Sequence, residues 1–465
     1  MILSRFEEDA FGRVELQDEA LYGVQTLRSV ENLSFSGRTL ADYPDYVAAL
    51  ADVKRSAARA NERAGILPRS LTYAIEEACE EIRQGCHRDQ FIVDPYHGGG
   101  SIGSNMNMNE VVANLANEIL GGQPGDYKPV HPADHVNASQ STSDACHTAL
   151  RIAVLRSGAT MGSELARLIH TLERKGKELA RVPTITRTCL QDGMADTLGT
   201  MFSGYAQGLS RRTRQLGLAV EALHAVNLGG TVIGSGVGAP EAYRELIIEA
   251  LNEVTELPLR HRENLYDAAQ NMDDLAAVSS ELQLLSGLLI KIAKDFRLLS
   301  SGPEAGFGEL RLPAVQAGSS FFPGKINPVV PETLIQSCFQ VIGLDRSVQA
   351  SLEHGELNLN VWEGLAGFNV LDALGMLERA VTLFTDKCAA GVEADDIRCK
   401  ELSRTFIPAV VALKEKYGYS QVGQWLKEMS KEEIRAVYER EVEQDESTSI
   451  GMGGQMVEGN KNPLY

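Results

Sequence analysis

The sequence predicts a mainly α fold built around a central bundle of long helices. Asp144–Ala180 and Met194–Asn227 contain no proline, and Asn271–Ser300, Pro331–Leu352 and Leu359–Ala390 continue the pattern. Apolar residues recur through all five at three- and four-residue steps, and the alternation expected of strands is sparse between them. Segments of roughly 20–35 residues exceed the ordinary helix length and pack as bundles. Their apolar faces are too broad to be buried within one chain, which points to association of several copies.

Taken in order, residues 1–138 mix helices with loops rich in glycine and proline. Asp45–Ala64 and Leu71–Arg83 carry helical apolar spacing, and residues 94–104 form a loop before a helix starting near Asn107 or Asn109. Residues 139–394 hold the five long segments. Within them, Gly229–Gly238 is rich in glycine but lacks the Gly-Lys-Ser/Thr ending and the βαβ setting of a phosphate loop, and reads as an inter-helix connection. Residues 395–465 form a small, charged, helical piece in which Ser430–Val442 resembles a capped helix. The tail from Gly451 reads as flexible.

The most informative stretch is Ala317-Gly-Ser-Ser-Phe-Phe-Pro-Gly-Lys-Ile-Asn-Pro-Val-Val-Pro-Glu332. Gly318 and Gly324 permit backbone conformations that a Cβ forbids, while Pro323, Pro328 and Pro331 restrict φ and remove donors. Hinges and stiffeners around two hydroxyls and one cation describe either an ordinary connection or a lid that carries chemistry.

Composition bounds the function. The chain has 465 residues, 43% hydrophobic and 23% charged, as a globular enzyme of two or three domains would. A formal charge of −19 argues against a nucleic-acid partner. It also means that an anionic substrate needs a local cation, for which Lys325 and Arg187 are the candidates. The seven scattered cysteines form no CxxC or Cys/His metal pattern and read as reduced thiols. His131 and His135 are four apart, a metal-ligand spacing on a helix, but Pro132 argues against a helix there. No metal site is expected. No signal peptide is evident, and apolar runs such as Leu284–Ile290 end at Lys291 and Lys294, too short for a bilayer. A cytoplasmic enzyme without a membrane partner is the expectation.

Several separated motifs then converge. The loop GSSFFPGKINP is similar to the signature GSSxMPxKxNP of the aspartase/fumarase superfamily, with Phe322 where methionine is usual. Tyr22-Gly-Val-Gln-Thr-Leu-Arg28 with Glu31-Asn32, Asn105-Met-Asn-Met-Asn-Glu-Val111, and His131–Asn137 running on to Ser141-Thr-Ser-Asp144 resemble its earlier blocks. Arg187-Thr-Cys-Leu-Gln-Asp192 is a variant of GRTHxQD. Arg297–Pro303, Asn327–Glu332 and Gly355–Val361 look more like aspartases than fumarases. The resemblance implies a three-domain fold, divided at 1–138, 139–394 and 395–465, and a homotetramer with shared active sites. It also implies anti β-elimination from a small dicarboxylate of the succinyl type, such as aspartate, giving fumarate and an amine.

That reaction removes a weakly acidic proton beside a carboxylate and needs donors where the second negative charge develops. By motif position, Ser319 matches the catalytic base, and backbone N–H groups around Ser320 and Phe321 match donors to the aci-carboxylate. Lys325, Asn327 and Thr188 match the clamp on the other carboxylate. Ser141 and Thr142 match hydroxyl donors to the carboxylate beside the acidic carbon, although a Ser/Thr run before Asp144 is also a helix cap. No nicotinamide, flavin or pyridoxal motif appears, and the elimination needs no organic cofactor.

Three positions depart from the family. Ile102 stands for threonine, Ser143 for asparagine, and Cys189 for the histidine of RTHxQD, positions that lie around the amino group and adjacent carboxylates in aspartases. Glu332 matches the glutamate that partners that histidine. His147 stands where proline is general, one turn from Ser143; it either replaces the lost imidazole or is structural. The leading reading is a carbon–nitrogen lyase of the aspartate ammonia-lyase type. The alternatives are a fumarase-type hydratase on the same fold, or a retired homologue, which persistence of Ser319, Lys325, Asn327 and Glu332 argues against.

Overall fold

The computed structural model describes residues 4–450, with side chains described to residue 441, so the expected flexible tail from Gly451 lies outside the described residues. An antiparallel pair, β1 (Ser4–Asp9) and β2 (Gly12–Gln17), opens the chain with Phe6 opposite Glu15. Helix α1 (Val24–Leu33) follows, then α2 (Pro44–Arg63), α3 (Arg69–Arg83) and α4 (Ile102–Ile119). Pro44 opens α2, where its missing N–H is not needed and its φ suits the helix. Helix α4 starts at Ile102, earlier than the sequence suggests, because Ser101 takes φ 72° and turns the chain sharply into the helix. Pro132 does not forbid helix either: it opens a single π turn over Pro132–Val136. There the His131 ring nitrogen accepts the N–H groups of Ala133 and Asp134 at 3.3 and 3.2 Å, acting as a cap.

Helix α5 (Thr142–Glu178) runs 37 residues, with Asp144 in its first turn and Lys175 and Lys177 in its last, matching the helix dipole. A hairpin of β3 (Pro183–Thr188) and β4 (Gln191–Thr197) precedes α6 (Leu198–Ala222). The helix therefore begins later than Met194, since Ala195 and Asp196 pair with Ile185 and Thr184 of β3. Short strands β5 (Ala225–Val226) and β6 (Arg260–His261) pair in parallel on either side of α7 (Glu241–Thr255). Helices α8 (Leu265–Gln270) and α9 (Asp273–Leu299), strand β7 (Leu310–Arg311), then α10 (Val329–Glu353) and α11 (Glu363–Lys387) complete the long-helix set. Pro331 falls in the first turn of α10, where it breaks no helical bond. Strand β8 (Glu393–Ala394) pairs with β7, and α12 (Asp396–Ser403), α13 (Phe406–Tyr417), α14 (Tyr419–Glu428) and α15 (Lys431–Ile450) follow. Ser430 and Glu433 form the reciprocal cap anticipated for the last helix.

The described residues divide into two compact units. One comprises the chain up to Ile169, Gln207–Lys294 and Val329–Asp386; the other comprises His170–Ala206, Asp295–Pro328 and the chain from Lys387. In the first, α11 passes so close to α5 that a Cβ on Gly367 would lie 2.5 Å from Leu150 Cδ2. Leu150, Leu282, Leu289, Val341 and Leu377 are buried there. In the second, Leu413, Val422 and Ile434 form a small core with Phe406, Trp425 and Tyr438, and Phe202 packs on Phe296 at 5.4 Å. Helix α9 has the length and apolarity to cross a bilayer, with mean hydropathy 1.4, where the shorter apolar run had excluded it. Half of that window is buried inside the protein, which is the setting of a core helix.

Candidate active site

In the first unit, three hydroxyls meet at the N-terminus of α5. Ser141 Oγ accepts the Ser143 N–H at 3.4 Å, while the Asp144 carboxylate accepts the Ser141 N–H at 2.8 Å, so the cap reading holds for Ser141. An accepting hydroxyl still has its own proton to give, so capping does not remove Ser141 as a donor. Thr142 Oγ1 likewise accepts, from Asn105 Nδ2 at 3.1 Å. Ser143 differs: it is buried and its hydroxyl donates to the Val232 carbonyl at 3.0 Å.

The glycine-rich loop accounts for this arrangement. Gly229 and Thr231 donate their N–H groups to Asp144 Oδ2 at 3.0 and 2.9 Å, so the loop cradles an internal carboxylate. Burial pushes the Asp144 carboxyl above its ordinary value, against the pull of these backbone donors and the Ser141 N–H.

Beneath Thr142 lies a group that the sequence reading missed. Lys54 is fully buried in α2, and its ammonium reaches Asn105 Oδ1 at 2.7 Å, Gln140 Oε1 at 3.0 Å and Asn137 Oδ1 at 3.1 Å. A lysine in phase with Val47, Leu50 and Ala57, all buried, was the available signal: a lone cation on an apolar helix face requires partners. Ile102, at the start of α4, is 46% exposed.

His147 sits 2.6 Å from Glu363 by its Nδ1, with the ring N–H not aimed for a linear hydrogen bond. Glu363 also binds Arg151, which forms a fork on Asp274 at 2.7 and 3.0 Å. Burial raises the Glu363 carboxyl, but Arg151 and His147 more than offset it, and the group lies below its ordinary value. His147 is thus engaged by a buried charge network. Glu332 lies in the first turn of α10, half-buried.

The second unit carries the other candidates. The β3–β4 hairpin turns on Cys189 and Leu190 with φ of 54° and 60°, between the paired Thr188 and Gln191. Two positive φ values define a tight turn that Asn-Gly normally fills. A non-glycine residue held so costs about 1–2 kcal/mol each, and such strain persists where surroundings enforce it. Cys189 and Thr188 are exposed at this tip. Arg187 is differently placed: its guanidinium lies 2.7 Å from the buried Glu309 and stacks 4.3 Å over Phe307.

The loop following β7 closes on itself at Gly318, whose N–H donates to the Lys325 carbonyl at 2.8 Å and whose carbonyl accepts Asn327 Nδ2 at 2.7 Å. A Cβ at Gly318 would lie 2.6 Å from the Lys325 oxygen, so only glycine fits this closure. Inside it, Ser319 Oγ accepts the N–H groups of Phe321 and Phe322 at 3.0 and 3.3 Å. Ser320 and Lys325 are exposed, and the Lys325 ammonium sits 6.0 Å from the Phe322 ring. Phe321 is 93% exposed. Among the described residues, no three His, Cys, Asp or Glu side chains converge as metal ligands.

Residues 12–343 match the family described as lyase. An aspartate ammonia-lyase of Helicobacter pylori strain J99 is 41% identical over 94% of this chain and 93% of its own. The solved fumarate lyase:delta crystallin of Brucella melitensis, bound to cobalt, superposes with a TM-score of 0.90 at 42% identity, covering 94% of this chain and 96% of that one. A class II fumarase from Schistosoma mansoni gives 0.88 at 29% identity, covering 91% and 92%. With its long-helix bundle and its closed serine loop, the chain belongs to this lyase family, the aspartase/fumarase superfamily.

Proposed function

We propose that the protein is a carbon–nitrogen lyase that eliminates ammonia or a substituted amine from aspartate, or an aspartate-like succinyl substrate, releasing fumarate or its fumaryl counterpart. The observation that carries this reading is the Ser319 hydroxyl, held by two backbone N–H groups inside a loop closed by Asn327. Donors aimed at that oxygen stabilise it more as an alkoxide than as an alcohol, which makes a serine usable as a base.

In this scheme Ser319 takes the proton from the carbon next to one carboxylate. The electron pair moves into that carboxylate, where Ser141 and Thr142 donate. It then returns to form the double bond as the carbon–nitrogen bond breaks and the amine leaves. Lys325, Asn327 and Thr188 hold the second carboxylate, and Glu332 takes part in the proton transfers. No organic cofactor is required. Arg187 contributes structure, since its charge is committed to Glu309.

A serine at 143 that is shorter than the family's asparagine, its hydroxyl turned to Val232, and Cys189 in place of an imidazole favour a substituted amine over ammonia as the leaving group. The three-part division at residues 138 and 394 belongs to this proposal, as does a homotetramer with sites shared between subunits. Leu218, Leu284 and Phe339, all more than half exposed on long helices, are surfaces that such packing covers. Seven unpaired cysteines accord with a cytoplasmic setting.

The test is direct. Purified protein is given L-aspartate and N-substituted aspartates, and fumarate is followed by its absorbance. In the reverse direction, fumarate is offered with ammonia, a panel of amines, or water. Turnover with water alone would move the protein to the hydratases, and no turnover with any of them would leave it a retired homologue.

A further inference from the structure

Lys54 is a buried cation with no carboxylate in contact among the described residues. Its three hydrogen bonds all go to side-chain amide oxygens, of Asn105, Asn137 and Gln140. An ammonium only donates, so each of these amides must present its oxygen to Lys54 and its NH2 elsewhere. For Asn105 that leaves two N–H donors, which go to Asn137 Oδ1 at 3.0 Å and Thr142 Oγ1 at 3.1 Å. The Gln140 NH2 is anchored on the Val136 and Ala138 carbonyls, so the network has no second arrangement that keeps every donor matched. Thr142 is therefore fixed as an acceptor towards Asn105, and its hydroxyl proton is left to donate away from the network.

We propose that Lys54 is a positioning residue which, through the Asn105 amide, sets Thr142 as a proton donor to the substrate carboxylate. The inference rests on the reading of Thr142 given above and adds what aims it. An uncharged lysine has a lone pair and can accept, so deprotonation lets Asn105 turn over and present its oxygen to Thr142. The hydroxyl then points inward and is lost to the substrate. Burial lowers the Lys54 ammonium to about 8. The titratable groups facing it are Cys146 and Asp144 of α5 and Cys79 of α3. Burial pushes Cys146 up to about 11, moves Cys79 upward too, and raises the Asp144 carboxyl above its ordinary value. With its ammonium lowered to about 8, Lys54 loses its charge near that pH.

The experiment compares Lys54→Met, Thr142→Val and the double variant by kcat/KM for fumarate release and by calorimetric affinity for succinate, which carries no amine to titrate. Each single change should cost roughly tenfold to a hundredfold, the worth of one hydrogen bond to a charged group. The double variant should be no worse than Thr142→Val alone. Wild-type affinity for succinate should fall as pH rises through 8, and that fall should vanish in Lys54→Met. Asn105→Asp guards against a Lys54 variant that fails to fold: it keeps Lys54 paired with an acceptor but removes the donor to Thr142. Loss of succinate affinity there supports the inference, and retention overturns it. Additive losses in the double variant, or an unchanged Lys54→Met, also overturn it. Succinate binding without turnover would remove the lyase reading while leaving this coupling measurable. A wild type that binds no succinate would remove Thr142 as a carboxylate donor, and the inference with it.

Discussion

The hydroxyl oxygen of Ser319 accepts the backbone N–H of Phe321 at 3.0 Å, so the proposed base and a donor that would stabilise it lie two residues apart in one loop. Because Gly318 and Asn327 tie the loop ends together, the donors need no rearrangement to reach that oxygen. Ser319→Ala should therefore abolish turnover by ~10²–10⁴, the usual loss on removing a general base. Circular dichroism and the oligomer should be unchanged. Turnover near the wild-type rate would remove serine from the mechanism.

Lys325→Met should act on capture and orientation of the substrate. With a formal charge of −19 and Arg187 bound to Glu309, the loop lysine is the cation left for the carboxylate in the second unit's candidate set. Its loss leaves a carboxylate to be desolvated without an ionic partner. A fall of kcat/KM by about tenfold to a hundredfold is expected, the value of a charged hydrogen bond. Steady-state kinetics showing an unchanged kcat/KM would place the clamp elsewhere.

The long helices and the serine loop were legible because their signals are local. Proline-free apolar periodicity gave α5, α9, α10 and α11 to within a few residues at most ends, and Gly/Pro spacing marked the 317–332 loop. Features built from distant partners were not legible. Lys54 finds Asn105 and Gln140 far along the chain, and Glu309 claims Arg187 from a segment over a hundred residues away. The Cys189–Leu190 turn carries no Asn-Gly signal, since its strand pairing, and not its own residues, enforces the positive φ values. Ser101 hid the true start of α4 in the same way.

Glu363 joins His147 to Arg151 in a buried network, and its removal should be costly. Deleting one partner of a buried ion pair typically destabilises by ~3–5 kcal/mol, so Glu363→Ala should lower the thermal midpoint by several degrees. The sign with pH follows from its depressed carboxyl. Its contribution is complete above the unfolded value, about 4.3, and is lost as pH falls through the lower folded value. Wild type should therefore lose stability below about pH 4 more steeply than Glu363→Ala, as thermal melts across that range will read. Parallel profiles would show that Glu363 is not ionised in the folded protein.

Shared sites make a prediction that a single-chain site does not. If Ser319 and Thr142 of one site come from different subunits, Ser319→Ala homotetramers should be inactive and Thr142→Val homotetramers slowed by about tenfold to a hundredfold. Mixing them under subunit exchange should regain part of the wild-type rate, because some sites then receive both native residues. Light scattering should give four chains. An active monomer at low concentration contradicts this outright.

The three departures from the family pattern make the sharpest case. Ile102 offers no polar atom where the family has threonine, Ser143 is shorter than the family's asparagine with its hydroxyl turned to Val232, and Cys189 occupies a strained turn tip in place of an imidazole. A hydrogen bond to a charged ammonium is worth ~1.5–3 kcal/mol, so the absence of two or three lowers kcat/KM for L-aspartate by orders of magnitude. A smaller or apolar replacement leaves room for a substituent on nitrogen, so a substituted aspartate should suffer less. Ile102→Thr, Ser143→Asn and Cys189→His combined should then raise L-aspartate turnover and reduce preference for the substituted amine. Histidine also tolerates the positive φ at 189 better than most residues, so that change should not destabilise the hairpin. Asparagine at 143 must fit where a small buried hydroxyl stood, so it is the change whose folding needs checking by thermal melt. If wild-type protein already deaminates L-aspartate as fast as the triple variant, with no gain on any substituted amine, the three departures do not shape the substrate.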